Sequence, residues 1–381
     1  MKLGISLSGG GVRAAVFHLG VLSRLSECTR WTDISFLSTV SGGTLCIALV
    51  VEHAGMRWPT AEEYRDQVLP EARDILTSVD LEMRLKLGLL NPRWWVSGRA
   101  RHLSHLLRRH WKIEGKVFQM PDPPRWEICA TCYETGKQWR FSKIRMGDYR
   151  THYVVNPDFA LADAAAASAA LPGAIGPLTV KARQFKWHKF ATDGTSPTIP
   201  VAPLATKYRL WDGGVYDNLG AEPIIKPGGG LREEVDFVLL SDASRPVTVE
   251  TRRVQLRRPF YIPPFRLIDI ATEQVRSLRI RSAIGLLKQG VLNGAVLRMG
   301  TTLEKVLRDT HVAPCSRWGA YQFMPEAEVQ QVIEFPTTLR KLSGAEFDTI
   351  HKHGYEVAES ILYAYGGGLF DRGPARGKLI P

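Results

Sequence analysis

The residues whose types and spacing could act together are one serine, one aspartate and four glycines. Ser41 lies in "ISFLSTVSGGTLCIALVV", where an apolar run stops at a hydroxyl and two glycines and a second apolar run begins. A serine in a sharp turn between strand and helix exposes its Oγ, and the next N–H, here of Gly42, is available to an oxyanion. The match to G-x-S-x-G is incomplete, because Thr39 takes the first glycine position and Gly43 the second. Taken alone, "TVSGG" is equally an ordinary turn. A serine nucleophile also needs a base, and no histidine, His18 and His53 included, sits in a suggestive local motif. A carboxylate within hydrogen-bond reach can serve instead. Asp212, in "LWDGGVYDNLG", follows a short apolar run and precedes two glycines, which places it at a strand end; an Asp-Gly turn is the plainer reading.

The glycines Gly9, Gly10 and Gly11 open two chemistries. "GGGVRA" fits the dinucleotide fingerprint G-x-G-x-x-A. That reading requires an acidic residue at the end of the second strand, where this chain has Ser41, Gly42 and Gly43. The other chemistry uses the unpaired N–H groups and dipole of a helix N-terminus to stabilise the oxyanion of acyl transfer. Neighbouring βα units of a parallel sheet open on the same edge, so the glycine loop and the Ser41 turn converge on one crevice. Ser168, inside the alanine-rich "ALADAAAASAAL", reads as a packing residue that bonds back to its own helix.

The elements that must position these residues start with two successive βα units: strand "LGISLS", helix "VRAAVFHLGVLSRLSE", strand "ISFLSTV", helix "TLCIALVVEHAG". Strands apolar almost throughout imply a parallel sheet covered on both faces, an α/β fold. Residues 52–125 are mixed in charge and rich in Arg and Trp, and read as a helical insertion. "RWEICATCYETGKQWRFSK" reads as a hairpin, and "GAEFDTIHKHGYEVAESILYAY" as a helix followed by a disordered Gly/Arg/Pro tail. One domain is expected over 1–330, with 331–381 packed on it.

At 381 residues, 44% hydrophobic and 23% charged, the chain is globular in composition. It has no apolar run long enough to span a bilayer, and its first residues read as a strand rather than a signal peptide, so a cytoplasmic location is expected. Five cysteines argue against a disulfide framework. Cys129 and Cys132 form a CxxC without the further ligands zinc requires, so no metal and no cofactor are expected. The net charge of +12 favours an anionic partner. No nucleic-acid motif accompanies it. Trp94, Trp95 and Trp111 with Arg99, Arg101, Arg108 and Arg109 form the aromatic and basic mixture of a headgroup-level surface. Arg252, Arg253, Arg257, Arg258, Arg276, Arg279 and Arg281 form a second basic region. A solvated or internally paired face explains either segment equally well.

Taken together and in order, "SGGGVRA", "TVSGG" and "DGGVYDNLG", with "ATCYETGKQWRFS" and "AAAASAALPGAIGPL", resemble the patatin-like phospholipase family over about residues 1–245. The resemblance implies a three-layer sandwich with a mostly parallel central sheet. It also implies a Ser41–Asp212 dyad and an oxyanion loop at Gly9, Gly10 and Gly11, joined by Gly42. Arg13 is implied as a support for that loop or for a lipid phosphate. Thr39 and Ala14 stand where the family commonly has glycine. The expected function is a lipid acyl hydrolase of phospholipase A or lysophospholipase type, working peripherally on the inner membrane face. An esterase or thioesterase for soluble substrates is an alternative, and so is a weakly catalytic lipid-binding module. The segments 52–125 and 250–381 leave room for control by a small ligand.

Overall fold

The structure is a computed structural model. It describes residues 1–88, 90–91, 98–192, 194, 196–226, 228–245, 263–319 and 321–370, without the side chains of 263–265 and 317. Trp94, Trp95, Arg252, Arg253, Arg257, Arg258 and the tail from 371 lie outside the described residues.

The two βα units form as the apolar pattern requires. Strand β1 (Leu3–Leu7) and strand β2 (Ile34–Val40) are buried almost throughout and run parallel, with Leu7 opposite Thr39. Helices α1 (Gly11–Ser26) and α2 (Gly42–His53) follow them. The insertion consists mainly of α3 (Leu69–Ser78), α4 (Leu81–Gly88) and α5 (Arg99–Trp111). In α5 the buried residues Ala100, Leu103, Leu107 and Trp111 recur every three or four positions, so one stripe faces the core. The chain then re-enters the sheet as β3 (Arg125–Cys132), parallel to β2.

An antiparallel wing extends from there through β4 (Gln138–Phe141), β5 (Arg145–Asp148) and β6 (His152–Val155). Helix α6 (Leu161–Ser168) leads to β7 (Leu178–Lys181), β8 (Trp187–Phe190), β9 (Pro197–Val201) and β10 (Lys207–Asp212). After the short helix α7 (Gly214–Asp217) come β11 (Phe237–Asp242), α8 (Pro263–Lys288) and β12 (Gly294–Arg298). Helices α9 (Leu303–Thr310), α10 (Glu326–Glu334) and α11 (Gly344–Tyr365) end the described fold. The strand order is β12-β11-β1-β2-β3-β4-β5-β6-β8-β9, with β10 pairing β3 and β7. The pairings from β12 to β3 along this order are parallel and carry the βα units; the wing beyond is antiparallel.

Side chains alternate between two cores, as strand geometry dictates. In β11, Leu239 enters the larger core while Val238 and Leu240 enter a smaller one that α8 covers through Ile280 and Ala283. Helices on both faces of the sheet make the three-layer arrangement. Helix α11 is part of the larger core. Its N-terminus is closed by a capping box between Ser343 and Glu346, and it crosses α1 in backbone contact. A Cβ on Gly20 would lie 2.0 Å from the His351 carbonyl oxygen, and one on Gly354 the same distance from that of Phe17, so only glycines permit this approach.

Several of the basic and aromatic residues expected at a membrane surface are used inside the fold. Trp111 is 1% exposed and belongs to the core. Arg101 and Arg108 pair with Asp163, Arg276 with Asp242 and Glu273, and Arg279 with Glu222 and Asp217. Arg109 and Arg281 remain exposed. Among the described residues, no helix is long and apolar enough to cross a membrane.

Candidate active site

Because β1 and β2 are parallel neighbours, their C-terminal ends bring the glycine loop and Ser41 together. Ser41 is the residue between β2 and α2, with φ 48° and ψ −113°, a conformation that side chains rarely adopt. The turn closes so tightly that a Cβ on Gly42 would lie 2.3 Å from the Gly11 carbonyl oxygen and one on Gly43 2.3 Å from that of Leu7. The Ser41 N–H donates to Ser168 Oγ at 2.9 Å, and the Ser168 hydroxyl donates to the Cys129 carbonyl at 2.7 Å. Thr44 Oγ1 stands 2.9 Å from both Ser168 Oγ and Thr39 Oγ1, and Trp126 Nε1–H donates to Thr39 Oγ1 at 2.9 Å. Thr39 therefore occupies the expected glycine position as a buried hydrogen-bonding post beneath the turn.

Asp212 ends β10, opposite Ala130 of β3. Its backbone is held by Ala170 O, which accepts its N–H at 3.1 Å, and by the Thr131 hydroxyl, which donates to its carbonyl at 2.8 Å. The carboxylate accepts the Gly214 N–H at 2.7 Å, and the Ser41 hydroxyl lies close enough to favour its charged form. Burial pushes the Asp212 pKa up from 3.8 to about 6, against the opposing pull of the Gly214 N–H and the Ser41 hydroxyl.

Among the described residues, the N–H groups of Gly10, Gly11 and Gly42 have no acceptor. Gly11 and Gly42 begin α1 and α2, so both helix dipoles add positive potential beside Ser41. Gly9 departs from the expected role of an oxyanion donor: its N–H is donated to the Asn218 carbonyl at 3.1 Å. Arg13 departs from the role of a phosphate ligand. It is fully buried, and its guanidinium donates to the carbonyls of Ile333, Phe335 and Ala243, tying α1 to β11 and the C-terminal segment. His18 is held between Ser241 Oγ and the Ser8 carbonyl, and burial lowers its pKa to about 4.

These groups line a cavity of about 820 Å³ whose walls include Leu85, Leu171, Ile175, Val215, Ile268 and Leu339. Arg245 also lines it, half-buried and without a hydrogen-bond or ion-pair partner among the described residues. Three contributors escaped the sequence reading. Ser168 looked like helix filler, although its proximity to Pro172 and Gly173 placed it at a helix end. Asn218 lies within "DGGVYDNLG", where its residue type alone indicates no role. The segment Pro336–Leu339 closes over Gly11 through Thr338 O, which accepts the Val12 N–H at 3.0 Å; no local motif announces it.

A three-layer α/β sandwich with a strained serine turn, a glycine loop and a strand-end aspartate defines the class of protein. A family profile described as "Patatin-like phospholipase" matches residues 5–225, and the chain belongs to that family. A "Patatin-like phospholipase domain-containing protein" of Chaetomium globosum is 25% identical over 215 residues, covering 53% of this chain and 23% of the relative. Human GIVD cytosolic phospholipase A2 superimposes with a TM-score of 0.53 at 14% identity, covering 94% of this chain and 58% of that one, a likeness of fold. The chain thus spans about a quarter of the curated relative and somewhat over half of the solved structure.

Proposed function

We propose that the protein is a lipid acyl hydrolase of phospholipase A or lysophospholipase type that uses a Ser41–Asp212 dyad. The observation that carries this is the Ser41 hydroxyl set beside the buried Asp212 carboxylate, whose charged form it favours, next to three unpaired N–H groups at two helix N-termini. Ser41 Oγ attacks the ester carbonyl as Asp212 takes its proton, and the N–H groups of Gly10, Gly11 and Gly42 receive the oxyanion. Collapse breaks the ester bond, and protonated Asp212 returns the proton to the departing alcohol. A water then gives its proton to Asp212 and attacks the acyl-Ser41 carbonyl. The second collapse frees the fatty acid as Ser41 Oγ regains that proton. With a pKa of about 6, Asp212 is ionised at neutral pH and remains basic enough to accept a proton.

A lipid surface is the substrate source that the cavity mouth supports. Leu171 and Ile268 line the cavity and are exposed, and Met83 and Leu87 on α4 and Leu267 on α8 are exposed on helices that carry its walls. An exposed apolar rim around an apolar cavity suits docking on the interfacial layer of a membrane. The test is fatty-acid release from phospholipid liposomes by wild type, Ser41→Ala and Asp212→Ala, with fluorophosphonate labelling of Ser41 in parallel. Release and labelling by wild type alone support the dyad. Full activity in Ser41→Ala refutes it, and cleavage of short soluble esters with no liposome activity refutes the lipid assignment.

A further inference from the structure

A second cavity, of about 180 Å³, lies on the antiparallel wing and shares no lining residue with the catalytic one. Its carboxylates are already satisfied. Glu127 is buried and pairs with Arg125 at 3.1 Å, Arg140 at 3.4 Å and Arg232 at 3.9 Å. Glu222 pairs with Arg279 at 2.9 Å and Arg140 at 3.6 Å. Asp148 accepts the N–H groups of Arg150 and Thr151 and the hydroxyl of Thr135.

Three donors lining the same cavity are not satisfied. The Arg145 guanidinium lies against the rings of Tyr153 and Phe190, at 5.3 and 5.2 Å from their centroids, and has no carboxylate or carbonyl partner among the described residues. Aromatic contact holds the planar group while leaving its N–H edges to donate. Burial lowers its pKa; Glu127 opposes this, and Arg125 and Arg232 add to it. The Lys137 ammonium is 5.7 Å from the Tyr149 ring centroid and likewise has no anionic partner among the described residues. Gln138 is 6% exposed, and its Oε1 accepts the Arg140 Nε–H at 2.8 Å. That bond fixes the amide orientation and leaves Nε2 buried without an acceptor among the described residues.

We propose that this cavity binds a small tetrahedral oxyanion, free phosphate or the phosphate of a small monoester, through Arg145, Lys137 and the Gln138 side-chain amide. Donors from separate points of the wing suit an anion with several acceptor oxygens better than a planar carboxylate. The volume is below that of pockets for drug-sized molecules, so a diacyl lipid is excluded. The site is mechanically close to the catalytic base. Gln138 sits opposite Thr131, whose hydroxyl holds the Asp212 carbonyl, and Tyr216 and Glu222 of the cavity wall follow Asp212 in the chain.

Calorimetric titration of the full chain with inorganic phosphate and with glycerol 3-phosphate, at constant ionic strength, tests this. Saturable one-site binding of either compound is expected, and which one binds identifies the source of the phosphate. Arg145→Met and Lys137→Met should each weaken binding at least about tenfold, the loss of one charge-assisted hydrogen bond. Arg145→Lys should recover part of the loss, and Arg245→Ala, in the other cavity, should bind as wild type does. Unfolding midpoints without phosphate establish that each variant is folded. Binding of neither compound by wild type overturns the proposal. Wild-type affinity in folded Arg145→Met and Lys137→Met also overturns it, and so does loss of binding in Arg245→Ala alone.

Discussion

Replacing Asp212 by asparagine should abolish catalysis and stabilise the protein, and the pH dependence of both effects should turn on the same raised pKa. The Asp212 carboxyl is 4% exposed, and burial raises its pKa from 3.8 to about 6. The folded state therefore binds this proton more tightly than the unfolded chain. Relative to a neutral side chain, the aspartate carries no penalty below pH 3.8, and the penalty grows to its full size as pH rises through 6. Its full size is on the order of 3 kcal/mol, at 1.36 kcal/mol for each unit between the two pKa values. The asparagine side chain would keep an acceptor for the Gly214 N–H and remove the buried charge. Urea unfolding of wild type and Asp212→Asn at pH 5 and pH 8 measures the difference. The variant should gain stability over wild type as pH rises, with the gap widening by roughly 1–1.5 kcal/mol between these values. Wild-type kcat/KM should fall to about a tenth of its plateau at pH 5, because the base is then mostly protonated. Equal stability of the two proteins at pH 8, or activity flat down to pH 5, would refute the argument that desolvation sets this group's pKa.

Ser41→Ala should reduce liposome hydrolysis by about three orders of magnitude or more and eliminate fluorophosphonate labelling, as read by fatty-acid release and gel fluorescence. Ser168→Ala removes the acceptor for the Ser41 N–H and the donor to Cys129 O, so kcat should fall about 10–100-fold with KM little changed, measured by steady-state kinetics on a short ester. Thr39→Gly restores the glycine common in the family but leaves the Trp126 Nε1–H without an acceptor. It should cost about 1–3 kcal/mol in urea unfolding. Leu87→Asp with Leu267→Asp places two charges on the exposed apolar rim. Sedimentation with vesicles and fatty-acid release should both drop several-fold while short-ester hydrolysis is retained.

The α/β class was legible because it depends on local signals. The runs "LGISLS" and "ISFLSTV" are too apolar for a half-exposed sheet, and each leads through glycine into a helix, as β1–α1 and β2–α2 do in the structure. Helix α11 was equally legible: "GAEFDTIHKHGYEVAESILYAY" forms one helix from Gly344 to Tyr365. Composition leaves Trp111 and Arg276 open between a headgroup surface and an internal face, because burial is decided by partners distant in sequence. Trp111 completes a helical stripe, and Arg276 meets Asp242 at the end of β11. Arg13 and Gly9 carry the same lesson within the site. Their residue types suit an anion, but Phe335, Ala243 and Asn218 reach them from hundreds of positions away and take their donors.

Thr39 illustrates how the elbow is held. Positive φ at Ser41 and an ionised carboxylate in a buried position both destabilise the folded state, so the turn must be fixed by groups that do not take part in the chemistry. A glycine two residues before the serine would relieve crowding and supply no hydrogen bond. Threonine supplies an acceptor for Trp126 and a contact to Thr44, and through Thr44 it joins Ser168, which holds the serine's own N–H. Ser168 in turn is anchored to Cys129 of β3, and the next residue of that strand, Ala130, lies opposite Asp212. One buried chain of hydroxyls thus connects the backbone of Ser41 to the strand that positions Asp212. The departure from glycine at position 39 keeps the Ser41 turn fixed, because the hydroxyl replaces conformational freedom with a fixed contact.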